Sequence, residues 1–144
     1  MNNKDKLDVV VATTPDDSHS WNMHGVELEL IDRGLRVLNL GPCTPIRLVA
    51  ETLRDFRPQL LVITTVNGHG AASMPELMAE LAKFQLLKST SVIVGGILTV
   101  DVATASEAEK SINALGCSGV FTGDDAWRRF DLIVMPSLRI APLA

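Results

Sequence analysis

The residues whose types and spacing most clearly suggest chemistry are Asp17 and His19, which follow the apolar run Val9–Ala12. An aspartate two residues before a histidine can accept a hydrogen bond from one ring nitrogen. That bond fixes the tautomer and makes the other nitrogen a more basic metal ligand. A second interpretation is a solvated loop in which Asp16 or Asp17 caps the next helix, because Asp is common at that position. The spacing alone leaves both interpretations open.

Two later segments also follow apolar runs and carry small or hydroxyl-bearing residues. Thr64 ends one run and can present a hydroxyl group, whereas His69 lies between two glycines, where we favour an ordinary surface turn. Gly95-Gly96 follows the next run and leaves a space without side chains that a flat, bulky ligand could enter, although a simple strand exit would look the same. Gly123 follows the last apolar run and could leave a similar space without a side chain.

Length and composition predict a single domain. The chain has 144 residues, of which 47% are apolar, with a core expected over about residues 6–135 and an irregular apolar tail at the C-terminus. That tail could pack back on the sheet or form an interface. The net charge is −4 and no helix carries a basic stripe, so we expect no nucleic-acid partner.

Targeting features point to the cytoplasm. The first residues are polar and of mixed charge, unlike a signal peptide, and no apolar run approaches the roughly 18 residues that span a membrane, so no membrane association is expected. Cys43 and Cys117 lie far apart in the sequence without metal-binding spacing and are predicted to be free thiols.

Strand and helix patterns alternate five times. The predicted strands are short and aliphatic, as in a sheet that is buried on both faces, and cover Leu7–Ala12, Arg36–Leu40, Leu60–Thr64, Ser91–Val94 and Gly119–Thr122. Helix-start patterns predict five helices: Asn22–Arg33, one capped by Thr44 with Pro45 next, one beginning at Ser73, one beginning at Ser106, and Ala126–Met135.

This alternation predicts an α/β fold: a doubly wound, flavodoxin-like (Rossmann-like) sheet of five parallel strands in the order 2-1-3-4-5. The switch point of that order lies between the first and third strands. The loops Thr13–Asn22 and Thr65–Ala72 would therefore face the ligand crevice.

Other functions of this fold match the sequence poorly. A phospho-receiver domain needs an aspartate after the third strand and a lysine after the fifth, but Thr64–Val66 and Thr122–Asp124 supply neither. A flavodoxin needs aromatic residues beside the flavin, and the chain has no tyrosine. The first loop also lacks the Gly-x-Gly-x-x-Gly pattern of dinucleotide binding, and its aspartates would repel a phosphate.

Taken in order, these segments resemble the cobalamin-binding domains. The fingerprint of that family is Asp-x-His-x-x-Gly, then Ser-x-Leu, then Gly-Gly. Asp17–Asn22 matches two of the three fixed positions of the first motif, Thr64–Val66 matches the second conservatively, and Gly95-Gly96 matches the third. Leu38–Gly41 and Asn67–Gly70 also resemble the family, so that the resemblance extends over about residues 6 to 125.

The resemblance implies a role for each matching residue. His19 would be the lower axial ligand of the cobalt, and Asp17 would hydrogen-bond its other ring nitrogen. The displaced nucleotide tail of the cofactor would lie in a slot lined by Thr64, Val66, Gly95 and Gly96, closed at its far end by Gly123–Asp125. The implied cofactor-binding set is Asp17, Ser18, His19, Asn22, Thr64, Val66, Gly68, Gly95, Gly96 and Gly123.

The sequence departs from the fingerprint at several positions. Asn22 replaces the motif glycine; it would be tolerated if that position needs a left-handed backbone, and would hinder binding if the position needs the absence of a side chain. Trp21 is bulky for this loop, although it could pack on the corrin. Thr64 and Val66 change the tail pocket by about one methyl group each, in opposite senses.

Within the family, the chain is most similar to the small subunit of glutamate mutase (methylaspartate mutase). It reaches its first strand near residue 7, without the helical cap of methyl-transferring corrinoid proteins. The resemblance implies an adenosylcobalamin-dependent isomerase that catalyses a radical rearrangement, with catalysis on a larger TIM-barrel subunit, a heterotetramer, and no catalytic residue on this chain beyond cofactor ligation. The alternatives are a non-catalytic corrinoid carrier and a degenerate sensory module.

Overall fold

A computed structural model describes residues 6–96 and 105–140 of the chain. These residues form a parallel sheet with the strand order 2-1-3-4-5, which confirms the predicted fold. The strands are β1 (Val9–Ala12), β2 (Val37–Asn39), β3 (Leu60–Thr65), β4 (Ser91–Gly96) and β5 (Gly119–Phe121). The switch point between β1 and β3 is therefore where the sequence predicts it.

Five α-helices connect or follow the strands in the described part of the chain. They are α1 (Ser20–Asp32), α2 (Ile46–Phe56), α3 (Gly70–Lys83), α4 (Ala105–Ala114) and α5 (Ala126–Ile133), with short 3-10 helices at Leu86–Lys88 and Met135–Ser137. None of the helices in residues 6–96 and 105–140 combines the length and the apolar character that a membrane span requires.

The side chains of β1 show how the sheet divides the core into two layers. Val9 and Val11 pack with Met23 and Leu30 of α1 and with Phe130 of α5. Val10 and Ala12 point to the other face, where α2, α3 and α4 contribute Leu53, Leu81 and Ile112 among others. The alternation of successive strand side chains explains why the strands are apolar along their whole length.

Helix α1 begins at Ser20, two residues before the predicted Asn22, and the predicted starts of α2 and α3 are displaced as well. Helix α3 begins at Gly70 rather than Ser73, because the chain enters the helix directly from the loop after β3 and the Ser73 hydroxyl group bonds back to the His69 carbonyl. The residue that precedes α2 is Pro45, and Thr44 makes no cap; its hydroxyl instead accepts the Thr13 N–H (3.0 Å) and donates to the Gly41 carbonyl.

The fourth predicted helix start is shifted as well. Ser106 lies inside α4, and Glu109, which follows it at capping-box spacing, accepts a hydrogen bond from the Thr122 hydroxyl group at 2.9 Å. The residues before Ala105 lie outside the described part of the chain. The Glu109 side chain thus connects α4 to the end of β5.

The C-terminal segment packs back on the sheet as far as it is described. Leu138 packs against the layer formed with α1 and α5. The Gln59 side chain holds Arg139 from both sides, accepting the Arg139 N–H and donating to its carbonyl, each at 2.7 Å. The last four residues of the predicted tail lie outside the described part. Cys43 and Cys117 are free thiols, as expected.

Candidate functional site

The Asp17 carboxylate organises the loop after β1. It is 1% exposed and accepts four hydrogen bonds. Oδ1 accepts from the backbone N–H of His19 (2.9 Å) and from Nδ1 of the His19 ring (2.7 Å). Oδ2 accepts from the Thr65 hydroxyl (2.6 Å) and the Val66 N–H (2.8 Å). One side chain therefore joins the two loops that were predicted to face the crevice.

These hydrogen bonds keep Asp17 ionised despite its burial. Burial opposes the charged form, but the donors on Thr65, His19 and Val66 outweigh it and hold the pKa of the Asp17 carboxyl well below its usual range. An ionised carboxylate can only accept hydrogen bonds. Nδ1 of His19 must therefore be the protonated nitrogen when the ring is neutral, and Nε2 carries the lone pair.

His19 is placed so that Nε2 is accessible. The residue immediately precedes α1, its side chain is 56% exposed, and no hydrogen bond from the described part of the chain reaches Nε2. A histidine with one nitrogen held by a carboxylate and the other open to solvent is a common arrangement for a metal ligand. This geometry fits the interpretation of Asp17 as the residue that orients a histidine ligand. Asp17 bonds His19 and does not cap α1 through the N–H groups of its first turn.

The loop that carries Asp17 and His19 is also tied to the loop after β2. The Cys43 N–H donates to the Asp17 carbonyl at 2.7 Å, and Thr44 receives the Thr13 N–H. At the near end of the loop, the Thr14 carbonyl accepts the Asp17 N–H at 3.1 Å. The position of the histidine is thus fixed by three segments of the chain.

A cavity of about 260 Å³ lies between the sheet and helices α1 and α5, and the first turn of α1 contributes Asn22 to it. Its lining residues are Asn22, Val26, Leu30, Val62, Thr64, Ile93, Val94, Gly95, Gly96, Phe121, Thr122, Gly123, Ala126, Trp127 and Phe130. Most of the lining is apolar and part of it is aromatic, whereas its polar side chains are Thr64 and Thr122, at the ends of β3 and β5, and Asn22, in the first turn of α1. Such a cavity suits a flat, largely apolar group that carries polar atoms at one end.

Gly95 and Gly96 at the end of β4 are required by the sheet itself. A Cβ on Gly95 would lie 2.9 Å from the Phe121 carbonyl oxygen, and one on Gly96, where φ is +99°, would overlap the carbonyl oxygen of Thr65. Both glycines also line the cavity. The close approach of β3, β4 and β5 therefore explains these glycines, and the cavity gains a wall without side chains.

Asn22 lies in the first turn of α1 and does not have a positive φ. The left-handed alternative for the motif position is therefore wrong, and the side-chain atoms of Asn22 are what matters there. Its Nδ2 donates to the Thr64 hydroxyl oxygen at 2.5 Å. Asn22 and Thr64, which depart from the first and the second motif, are thus bonded to each other at the cavity lining.

Seven of the ten predicted site residues fall into two groups. Asp17 and His19 form the bonded pair, while Asn22, Thr64, Gly95, Gly96 and Gly123 line the cavity. Val66 contributes only its backbone N–H to Asp17 and is not part of the cavity lining. Ser18 is exposed, and Gly68, at φ +81°, lies in the loop between β3 and α3.

Sequence reasoning missed Thr65 and the aromatic wall of the cavity. Thr65 is fully buried and bonds Asp17, yet its neighbour Thr64 carries the same hydroxyl group, so only the alternation of side chains along β3 could have separated them. Phe121 and Trp127 line the cavity from β5 and α5. Trp21 does not enter the cavity; it is 86% exposed, two residues after His19.

Comparisons with solved structures find the same fold in two proteins that bind corrinoids. A cobalamin-binding protein from Desulfitobacterium hafniense aligns with a TM-score of 0.70 and 19% identity over 88% of this chain and 58% of its own. The monomethylamine corrinoid protein of Methanosarcina barkeri aligns with a TM-score of 0.66 and 19% identity over 91% of this chain and 58% of its own. This chain therefore spans less than two thirds of either structure.

The same fold also occurs in a protein of another kind. The Salmonella typhimurium response regulator RcsB aligns with a TM-score of 0.62 and 13% identity over 96% of this chain and 64% of its own. No protein-family model and no curated protein matches the sequence. At these identities the likenesses establish the flavodoxin-like fold, and the function has to be argued from the site.

Proposed function

We propose that this chain binds cobalamin with His19 as the lower axial ligand of the cobalt. The observation that carries the proposal is the Asp17–His19 pair, which leaves Nε2 with its lone pair at the ligand-binding edge of the sheet. A corrin ring supplies four nitrogen ligands of its own, so one protein nitrogen is enough to hold the metal. The sequence resemblance and the two corrinoid-binding structures of the same fold support it.

The residues present fit this cofactor. Nε2 of His19 would hold the cobalt, and the cavity between α1 and α5 would receive the nucleotide tail, whose flat base suits the walls formed by Phe121, Trp127 and Gly95. When bound, adenosylcobalamin supplies a cobalt–carbon bond that breaks homolytically to give a radical. The chain's own part is to hold the imidazole in one tautomer through Asp17 and to keep the tail out of water.

For the biological role, we propose that this chain is the small subunit of a glutamate-mutase-like isomerase and is inactive until it binds a larger TIM-barrel subunit. The likeness of the motifs to the small subunit supports this assignment. The second candidate is a corrinoid carrier, which the likeness to the Methanosarcina corrinoid protein favours. Supplying a glutamate mutase large subunit, adenosylcobalamin and glutamate separates them, because only the mutase subunit would support formation of methylaspartate.

Cofactor binding is tested by absorption titration of the purified protein with hydroxocobalamin and adenosylcobalamin. We expect a spectrum in which the nucleotide base has left the cobalt and histidine has replaced it. His19→Ala should abolish that spectrum. His24→Ala is the matched control, because the His24 side chain is also 56% exposed and lies on α1, where its Nδ1 is 3.8 Å from a carboxylate oxygen of Glu27. Equal spectra for wild type and His19→Ala would overturn the assignment.

The ligand can be identified directly by electron paramagnetic resonance of the cob(II)alamin complex. Protein made with nitrogen-15 histidine should change the hyperfine pattern of the axial nitrogen from three lines to two. A pattern that keeps three lines would show that the cofactor's own base, not histidine, remains on the cobalt.

A further inference from the structure

We infer that Asn22 and Thr64 form a latch that controls entry to the cavity beside His19. This inference rests on the proposed function and deepens it. In it, the side chain of Asn22 controls the rate at which the cavity takes up the nucleotide tail of the cofactor. The latch is the hydrogen bond from Nδ2 of Asn22 to the Thr64 hydroxyl oxygen, which joins α1 to β3.

The latch lies at the cavity lining, close in sequence to the proposed metal ligand. His19 immediately precedes α1 and Asn22 is three residues further on, so the two lie about one helical turn apart. Thr64 lies near the carboxyl end of β3, on the other side of the gap. Asn22 and Thr64 both line the cavity, together with the buried residues Leu30 and Phe130. A group that is held at His19 and extends into the cavity would therefore run past Asn22 and Thr64.

Only one partner of the latch is free to move. Thr64 is 3% exposed and belongs to a strand paired on both sides, so its hydroxyl group is fixed in place. Asn22 is partly exposed in the first turn of α1, and Nδ2 to Thr64 is its one side-chain hydrogen bond within the described residues. Rotation of the Asn22 side chain opens the latch without any change in the backbone.

The latch affects only ligands that enter the cavity. When only a fraction of the protein molecules is in the state that can bind a ligand, the apparent affinity for that ligand is reduced by that fraction. Cobalamin, whose nucleotide tail must enter, is bound only by the open state. Cobinamide has the same corrin and cobalt but no nucleotide tail, so it reaches His19 whether the latch is open or closed. The difference between the two corrinoids isolates the latch from metal ligation.

The test is stopped-flow absorption of wild type and Asn22→Ala with aquocobalamin and with diaquocobinamide. Alanine is chosen over glycine because it does not weaken α1. We expect the association rate constant for aquocobalamin to rise roughly fivefold, the change that the loss of one ordinary hydrogen bond gives. The rate constant for diaquocobinamide should not change. Asn113→Ala, which removes an exposed asparagine side chain from α4, is the matched control and should leave both rates unchanged.

The outcomes separate failure of the latch from failure of the proposed function. If both corrinoids bind through His19 but Asn22→Ala changes neither rate, or changes both equally, the latch is wrong and cobalamin binding stands. If neither corrinoid gives a His19-dependent spectrum with any of the variants, both inferences are wrong. Urea unfolding of each variant shows whether a change in rate reflects a loss of folded protein.

Discussion

The two carboxylate oxygens of Asp17 bond two different parts of the site. Oδ1 holds His19 by its ring and its backbone, whereas Oδ2 holds the end of β3 through Thr65 and Val66. A buried carboxylate is unfavourable unless it is hydrogen-bonded, and here the bonds that satisfy it also orient the histidine. The orientation of the proposed cobalt ligand and the stability of the loop therefore depend on the same residue.

Replacing Asp17 by Asn tests this dependence. The amide that replaces the carboxylate would have only one accepting oxygen. Its NH₂ group would therefore face N–H or O–H groups that now donate to the second carboxylate oxygen. We expect Asp17→Asn to lower the free energy of unfolding by about 2–3 kcal/mol in urea denaturation. Asp16→Asn is the control, because Asp16 is exposed and accepts from the Thr14 hydroxyl. A loss at position 17 no larger than that at position 16 would contradict the role given to Asp17.

The Asp17 carboxylate should also make the free energy of unfolding depend on pH. The pKa of Asp17 is lower in the folded protein than the value of about 3.9 that an unfolded chain has, so its stabilising contribution is complete above that pH. As the pH falls below about 4, the unfolded state takes up the proton first and the contribution is lost. The difference in unfolding free energy between wild type and Asp17→Asn should therefore shrink below pH 4. A difference that is constant from pH 6 to pH 3 would contradict it.

Thr65 offers a second test at the scale of one atom. Thr65→Val keeps the shape of a fully buried side chain but removes the hydroxyl group that donates to Asp17 at 2.6 Å. Because the acceptor is charged, we expect a loss of about 1.5–3 kcal/mol in unfolding free energy, and Thr65→Ser should recover part of it. A loss for Thr65→Val that is no larger than that for Thr65→Ser would contradict the role given to the hydroxyl group.

The pairing of Asp17 with His19 could be predicted from sequence because it is local, over two residues. The contribution of Thr65 could not, because it joins positions 48 residues apart. The Asn22–Thr64 bond escaped prediction for the same reason, since each residue seemed a separate departure from its own motif.

At the scale of elements, β3 and β4 approach each other so closely at their ends that only glycine fits. Thr65 pairs with Gly96 in the parallel ladder, and a side chain on Gly96 would overlap the Thr65 backbone. The side-chain hydroxyl of Thr65 bonds Asp17 from this same position. The glycine at the end of β4 therefore helps to place the loop that carries His19, two strands away.

Gly96→Ala and Gly116→Ala form a matched pair that isolates this contact. Both glycines have a left-handed backbone, with φ of +99° and +97°, but a Cβ on Gly116 meets nothing within 4 Å. Gly116→Ala should cost only the backbone strain, about 1–2 kcal/mol. Gly96→Ala should cost clearly more in thermal or urea unfolding, because the backbone of β3 must move. Equal costs would contradict the steric explanation.

The elements were predicted better than their ends. Each strand was found because a sheet buried on both faces leaves an uninterrupted aliphatic run. Helix starts were less reliable, because Thr44 and Glu109 fit capping patterns but make tertiary hydrogen bonds to Thr13, Gly41 and Thr122 instead. A capping residue and a loop-bonding residue look the same in a sequence.

At the scale of the whole molecule, the cavity exists because α1 and α5 are held side by side on one face of the sheet. Arg33, the residue after α1, pairs with Asp131 of α5 (2.6 Å) and with Glu29, and its guanidinium lies 4.5 Å from the centre of the Trp127 ring. Trp127 is itself a wall of the cavity. The order 2-1-3-4-5 was predictable from the alternation of elements, but the fold is shared by corrinoid proteins and a response regulator, so it could not supply the function.

The opposite edge of the molecule gives a prediction about the C-terminal segment. Gln59→Ala removes both hydrogen bonds to the backbone of Arg139. We expect hydrogen exchange at the Arg139 amide to become about tenfold faster or more, since each bond contributes about 1 kcal/mol to protection. Exchange at amides of β3 should be unchanged. An unchanged Arg139 rate would show that packing of Leu138 alone holds the segment.

The network around Asp17 also has a thermodynamic consequence. The loop from Thr13 to His19 is already fixed in the free protein by bonds to Cys43, Thr44, Thr65 and Val66. A ligand that arrives at His19 has no loop to order, so its association carries little of the conformational-entropy cost that flexible sites impose. In a calorimeter, the heat capacity change should then match the apolar area that the ligand itself covers, with no additional term from folding of the loop.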